Sequence, residues 1–136
     1  MMMGSASCRV FIPELFRDSF SVVKNSLSSL GVVLENPLTK KITSWTDEGN
    51  QIELHPNEKG GVDFVEGVDN VQFWINAGED VFVKWVRFEE GVEFCFFLNG
   101  VDRKFARQII SMLVDIVFDI YQSSYEEKTA FAIDFD

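Results

Sequence analysis

Three runs of aromatic and β-branched residues, Val71 to Ala77, Val81 to Phe88 and Val92 to Leu98, follow one another with only short gaps. Runs of this composition, bounded by glycine-bearing connections and too short for helices, read as strands. The connections are Gly78-Glu79-Asp80 and Glu89-Glu90-Gly91. Links this short join antiparallel neighbours, since a parallel crossover needs a dozen or more residues. The centre of the chain is therefore expected to be an antiparallel meander. Alternation places Val71, Phe73 and Ile75 on one face of its first strand, and Val92, Phe94, Phe96 and Leu98 on one face of its last. Trp74, Phe82, Val86, Phe88 and Phe97 fall on the other faces. A sheet that is apolar on both sides is expected to be covered on both.

Helical periodicity flanks the meander. Pro13 supplies a first helical position, Phe16, Phe20, Val23, Leu27 and Leu30 recur at spacings of four and three, and Gly31 stands as the C-terminal cap. After Asn99-Gly100, Asp102 is expected to cap a helix running to about Ser123. Lys104, Gln108, Ser111, Asp115, Asp119 and Gln122 form its polar stripe, and nearly every other position is apolar. Such a helix is expected to be buried over most of its circumference, beneath another element or in a homodimer through this helix. Shorter strands are expected at Arg9–Ile12, Val32–Leu34, Lys41–Trp45, Gln51–Leu54 and Phe131–Phe135, with Asp47–Asn50 a turn and His55–Gly61 a loop. The expected fold is α+β. It has a single antiparallel sheet of about five to seven strands, packed with an N-terminal amphipathic helix and a long hydrophobic C-terminal helix. A chain of 136 residues is sized for one domain, here 8–136, with 1–7 a flexible leader.

Catalytic and metal-binding signatures are missing from the sequence. It contains no G-x-S-x-G, P-loop, G-x-G-x-x-G or H-E-x-x-H pattern, and His55 is its single histidine. Asp63, Glu66 and Asp69 put a carboxylate at every third position. A calcium loop instead needs oxygen ligands on alternate positions and a closing glutamate, whereas Phe64 and Val68 stand between these acids. That segment is expected to be a solvated loop or edge strand. No catalytic residue, metal or cofactor is expected. Cys8 and Cys95 make no C-x-x-C motif, and Cys95 lies within an apolar run, so both read as free thiols in a reducing, cytoplasmic protein. No apolar run approaches the roughly 18 residues of a membrane-spanning helix.

Charge is what remains. A net charge of −10 disfavours nucleic acid and anionic membrane as partners, since both are polyanions held by Lys and Arg. The excess is unevenly spread. Residues 47–93 carry twelve acids against three bases, while residues 1–46 carry a net +2. Acids on strands and turns improve solubility and discourage edge pairing. They also steer a basic partner. Asp47, Glu48, Glu53, Asp63, Glu66, Asp69, Glu79, Asp80, Glu89 and Glu90 are the candidate acidic partner-binding face, with Trp45 and Trp74 as aromatic anchors. The expected function is a non-catalytic protein-binding module. By its size and charge it is expected to act as an inhibitor or immunity-type protein of bacterial kind, neutralising a basic partner such as a toxin nuclease. The alternatives are an acidic secretion-type chaperone dimer, or a small-molecule binder with an apolar cavity between the sheet and the C-terminal helix.

Overall fold

A computed structural model describes residues 6–55, 61–120 and 131–135, and all their side chains except those of 61–63 and 135. In chain order the elements are β1 (Ala6–Ile12), α1 (Phe16–Ser29), β2 (Ile42–Trp45), β3 (Gln51–Leu54), α2 (Gly61–Glu66), β4 (Asn70–Asn76), β5 (Glu79–Arg87), β6 (Val92–Phe97), α3 (Arg103–Ile120) and β7 (Phe131–Phe135). The fold is α+β. The expected meander, β4-β5-β6, is antiparallel throughout. β1 adds to β6 and β7 adds to β1, which gives a five-stranded sheet in the order β4-β5-β6-β1-β7. β2 and β3 form a separate hairpin.

Register decides which side chains make the core. Cys8 lies opposite Phe96 and Ile133, and Val10 lies opposite Phe94 and Phe131. The two-residue period then puts Cys8, Val10 and Ile12 on one face with Val92, Phe94, Phe96, Val81, Val83, Trp85, Val71 and Phe73. All of these are buried. Each fully buried side chain of this size contributes on the order of 1.5–3 kcal/mol. α1 closes the face with Phe16 and Phe20, whose rings lie 5.3 and 5.6 Å from that of Trp85, while Phe20 sits 6.0 Å from Phe73. α3 contributes Ile109, Met112, Leu113 and Ile116 to the same core.

α1 ends as its glycine requires. Gly31 has φ of +81°, its N–H donates to the Ser28 carbonyl, and Val32 N–H donates to the Leu27 carbonyl. This is the double bond of a Schellman cap, with Val32 buried beside it.

Several local expectations are revised. Pro13 precedes α1 instead of opening it, and the first helical residue is Phe16. β1 starts at Ala6, because Ala6 and Ser7 continue the register between Phe97 and Phe135, so these two residues of the expected leader are sheet. Val32–Leu34 makes a single bridge, Val33 to Trp74, instead of a strand. The acidic segment near Asp63 is helical, forming α2. Residues 1–5 of the leader, 56–60 of the expected loop and 121–123 of the expected helix end lie outside the described residues.

The opposite face of the sheet is not covered by a helix among the described residues. Its side chains shelter one another. Phe82 and Phe97 pack with ring centres 5.6 Å apart, and Arg9 sits between Asp134 at 2.8 Å and Glu93 at 3.8 Å. Cys95 lies on this face while Cys8 lies in the core, so neighbouring strands point the two thiols in opposite directions. No described helix is long and apolar enough to cross a membrane.

Candidate functional site

The site is organised around one glutamate. Glu66, the last residue of α2, accepts Arg17 Nε at 2.7 Å and Arg17 Nη2 at 2.9 Å. Its backbone carbonyl accepts Arg87 Nη2, and the Arg87 guanidinium lies 4.0 Å above the centre of the Phe16 ring. The hydrogen bonds from Arg17 hold the Glu66 carboxyl below the usual range against an opposing cost of desolvation, with the charges of Arg17 and Arg87 adding to the same effect. Both arginines are therefore committed to the scaffold: Arg17 joins α1 to α2, and Arg87 joins the end of β5 to both.

Two clefts share Glu66 and Arg87 as a common wall. The first, of about 630 Å³, runs toward the β2–β3 hairpin. Trp45, Ile52, Val68 and Trp85 line it, and Asp47, Glu48 and Asp69 supply its acids. The second, of about 760 Å³, lies between the start of α1 and the β5–β6 turn. Glu14, Asp18, Glu89 and Glu90 border it beside Leu15, which is 79% exposed, and Phe88, which is 51% exposed. Together they form a two-lobed acidic furrow whose cations are already engaged.

Local structure explains how each lobe is held. The hairpin is fastened to β4 by Asn70, a buried amide. Asn70 Oδ1 accepts the Trp45 N–H at 2.9 Å, its Nδ2 donates to the Trp45 carbonyl at 3.0 Å, and Ser44 Oγ donates to its backbone carbonyl at 2.7 Å. Trp45 Nε1 donates to Gln72 at 2.8 Å, which fixes the indole at the furrow wall. In the other lobe the β5–β6 turn presses on the chain leaving β1. A Cβ on Gly91 would meet the Ile12 carbonyl and would come within 2.7 Å of Pro13 Cα, so only glycine permits this approach.

The predicted acids divide. Asp47, Glu48, Glu66, Asp69, Glu89 and Glu90 come together along the furrow. Glu79 and Asp80 do not line it: they sit at the start of β5, about 23–27 Å along the strand from Arg87, and Asp80 reaches the first lobe only from behind, through the Gln72 that also holds Trp45 Nε1. There they serve the β4–β5 turn, Glu79 accepting from Asn76 at 2.8 Å and Asp80 from Gln72 at 3.0 Å. Glu53 is exposed on β3, and the side chain of Asp63 lies outside the described residues. Of the two anchors, Trp45 borders the furrow, whereas Trp74 lies half-buried on the opposite sheet face beside Val33. Glu14 and Asp18 were missed by the reading of the sequence. They belong to a segment with net positive charge, and only the tertiary approach of Gly91 brings them to the acidic turn.

The chemistry offered is charge and apolar contact. Among the described residues no cluster of His, Cys, Asp and Glu is arranged to hold a metal. His55 is exposed at the end of the hairpin. A smaller recess of about 330 Å³ between α1 and β2 has a floor of Phe16, Phe20, Leu34, Ile42 and Val65. None of these clefts lies between α3 and the sheet. Comparison with protein-family models, with curated proteins and with solved structures finds no match for this chain, so its reading rests on its own geometry.

Proposed function

We propose that this chain is a non-catalytic protein-binding inhibitor of immunity type, whose acidic furrow seizes the basic surface of a partner such as a toxin nuclease. The observation that carries this reading is the furrow itself. Asp47, Glu48, Asp69, Glu14, Asp18, Glu89 and Glu90 line two adjoining lobes in which Glu66 already engages Arg17 and Arg87. The field left over is negative, and it draws in a cationic partner from beyond contact distance. Leu15 and Phe88 then give the encounter apolar area to bury. A nuclease is a fitting target because its substrate-binding surface must be basic, so an acidic plug competes with the phosphate backbone. In this reading the protein works in a reducing, cytoplasmic setting.

The test is capture of the partner with the tagged full chain, followed by stopped-flow association at increasing ionic strength. The captured protein is expected to be basic. Its association rate is expected to fall by more than about tenfold between low and high salt, because screening shortens the reach of the field to about 8 Å at physiological strength. Only neutral or acidic partners, or a rate indifferent to salt, would overturn the reading.

A further inference from the structure

The two edges of the five-stranded sheet are finished differently. At β4, Val33 and Trp74 exchange both backbone hydrogen bonds, at 2.9 and 2.6 Å, and Asn70 holds the hairpin alongside. At the other edge β7 pairs with β1, and among the described residues nothing pairs with its outer side. Phe131–Phe135 contains no proline or glycine, and its one charge, Asp134, is turned to Arg9 at 2.8 Å. An edge of this kind is a template for another strand.

The helix above this edge is unfinished on the same side. α3 packs over β1 and β7 and meets α1 along one flank. Along its other flank Ile110, Val114 and Val117 are half-buried and Phe118 is 72% exposed. Ile133, on the helix-bearing face of β7, is 38% exposed.

We propose that a second copy of this chain covers both, joined about a two-fold axis between the two β7 strands so that the sheets run on as one. A two-fold axis makes paired β7 strands antiparallel, which is the pairing already used throughout the sheet. The spacing closes as well. Strands lie about 4.8 Å apart, so a helix seated over the β1–β7 pair stands about 5 Å from the axis. The two α3 helices are then about 10 Å apart, the separation of packed helices. The axis also reverses α3 against itself. Its apolar flank, Ile110, Val114, Val117 and Phe118, then faces the same flank of the second copy, while Asp115 and Asp119 stay on the α1 side. No residue of the acidic furrow lies on α3 or β7, and this proposal does not rest on the furrow's function.

Sedimentation equilibrium on the full chain tests it, over about 1 to 100 µM, since a dimer's population follows concentration. The expected mass is twice 15.6 kDa. Phe118→Asp and Ile133→Lys are each expected to weaken the dimer at least about 100-fold, because each buries an unpaired charge at the joint. Far-UV circular dichroism checks that the variants stay folded. A wild-type chain at single-chain mass throughout overturns the proposal, and so do folded variants that keep the wild-type dimer.

Discussion

Arg17 reaches Glu66 with two nitrogens, Nε at 2.7 Å and Nη2 at 2.9 Å, and this fork fixes the end of α2 against α1 at the wall shared by both lobes of the furrow. Paired donors of this geometry give orientation as well as attraction. The pair is partly solvent-exposed, so its effect on global stability is small, but its effect on where α2 sits is direct.

The pair gives a pH signature with a definite sign. The Glu66 carboxyl is held below its ordinary value by Arg17 and Arg87. A depressed folded-state value means the contribution is present above the unfolded pKa and is lost as pH falls through the folded one. Wild type is therefore expected to melt at a higher temperature than Glu66→Gln at pH 7. The gap is expected to close as pH drops well below about 4. An unchanged gap at pH 3, read by thermal melts, would assign the difference to something other than this carboxylate.

Gly91→Ala is expected to destabilise the chain by about 1–3 kcal/mol, the range for forcing a methyl group into filled space. The new Cβ would meet the Ile12 carbonyl and Pro13 Cα, both backbone atoms that cannot rotate aside. Gly78→Ala is the matched control, since the nearest atom there is Asn76 Oδ1 at 3.8 Å. It is expected to lie within about 0.5 kcal/mol of wild type. Urea unfolding of the two variants checks the contrast.

Asn70→Ala removes the amide that pairs with both backbone groups of Trp45 and leaves those groups in a partly buried site. The expected cost is about 1–3 kcal/mol. The loss is expected to be local first, with faster amide hydrogen exchange at Trp45 while the β4–β5–β6 meander keeps its protection. Uniform acceleration across the sheet would show that the hairpin and the sheet open together.

The meander and α1 were legible because each repeats a short-range pattern, period two in β4 to β6 and the four-three spacing of Phe16 to Leu27. What escaped depends on contacts between distant parts of the chain. β1 is inserted between β6 and β7, a pairing that joins Cys8 to Phe96 and Ile133, and nothing local in Ala6–Ile12 specifies those neighbours. α2 was hidden because its six residues are too few for a hydrophobic period to show. The charge count found the acidic middle of the chain, yet the site draws Glu14 and Asp18 from a segment of opposite net charge. It also loses Glu79 and Asp80 to the far end of β5.

The thiols should be inert in the native state. Burial, with lesser effects from Cys95 and Asp134, pushes the Cys8 thiol up to about 11, and burial also raises Cys95. The reactive form is the thiolate, so at pH 8 both remain protonated. Ellman's reagent is expected to react slowly or not at all at pH 8 and to titrate both thiols once the chain is unfolded in denaturant. A native-state disulfide is not expected, because Cys8 and Cys95 point to opposite faces of the sheet. Rapid reaction of either thiol in the folded protein would contradict this placement.

The acidic furrow can be separated from acidity in general by moving the same charge to different places. Glu89→Lys with Glu90→Lys alters one lobe, and Asp47→Lys with Glu48→Lys alters the other. Glu79→Lys with Asp80→Lys makes an identical change of net charge at the far end of β5. If the furrow steers a basic partner, each furrow pair is expected to slow association by about tenfold or more at about 0.1 M ionic strength, where the field reaches about 10 Å. The pair at the β4–β5 turn lies about 23–27 Å along β5 from Arg87, more than two Debye lengths at about 0.1 M, and is expected to change the rate much less than the Glu89–Glu90 pair. Stopped-flow association of the three variants with the captured partner decides between local and overall charge. Equal slowing by all three would assign the attraction to the net charge of −10 and remove the furrow from the argument.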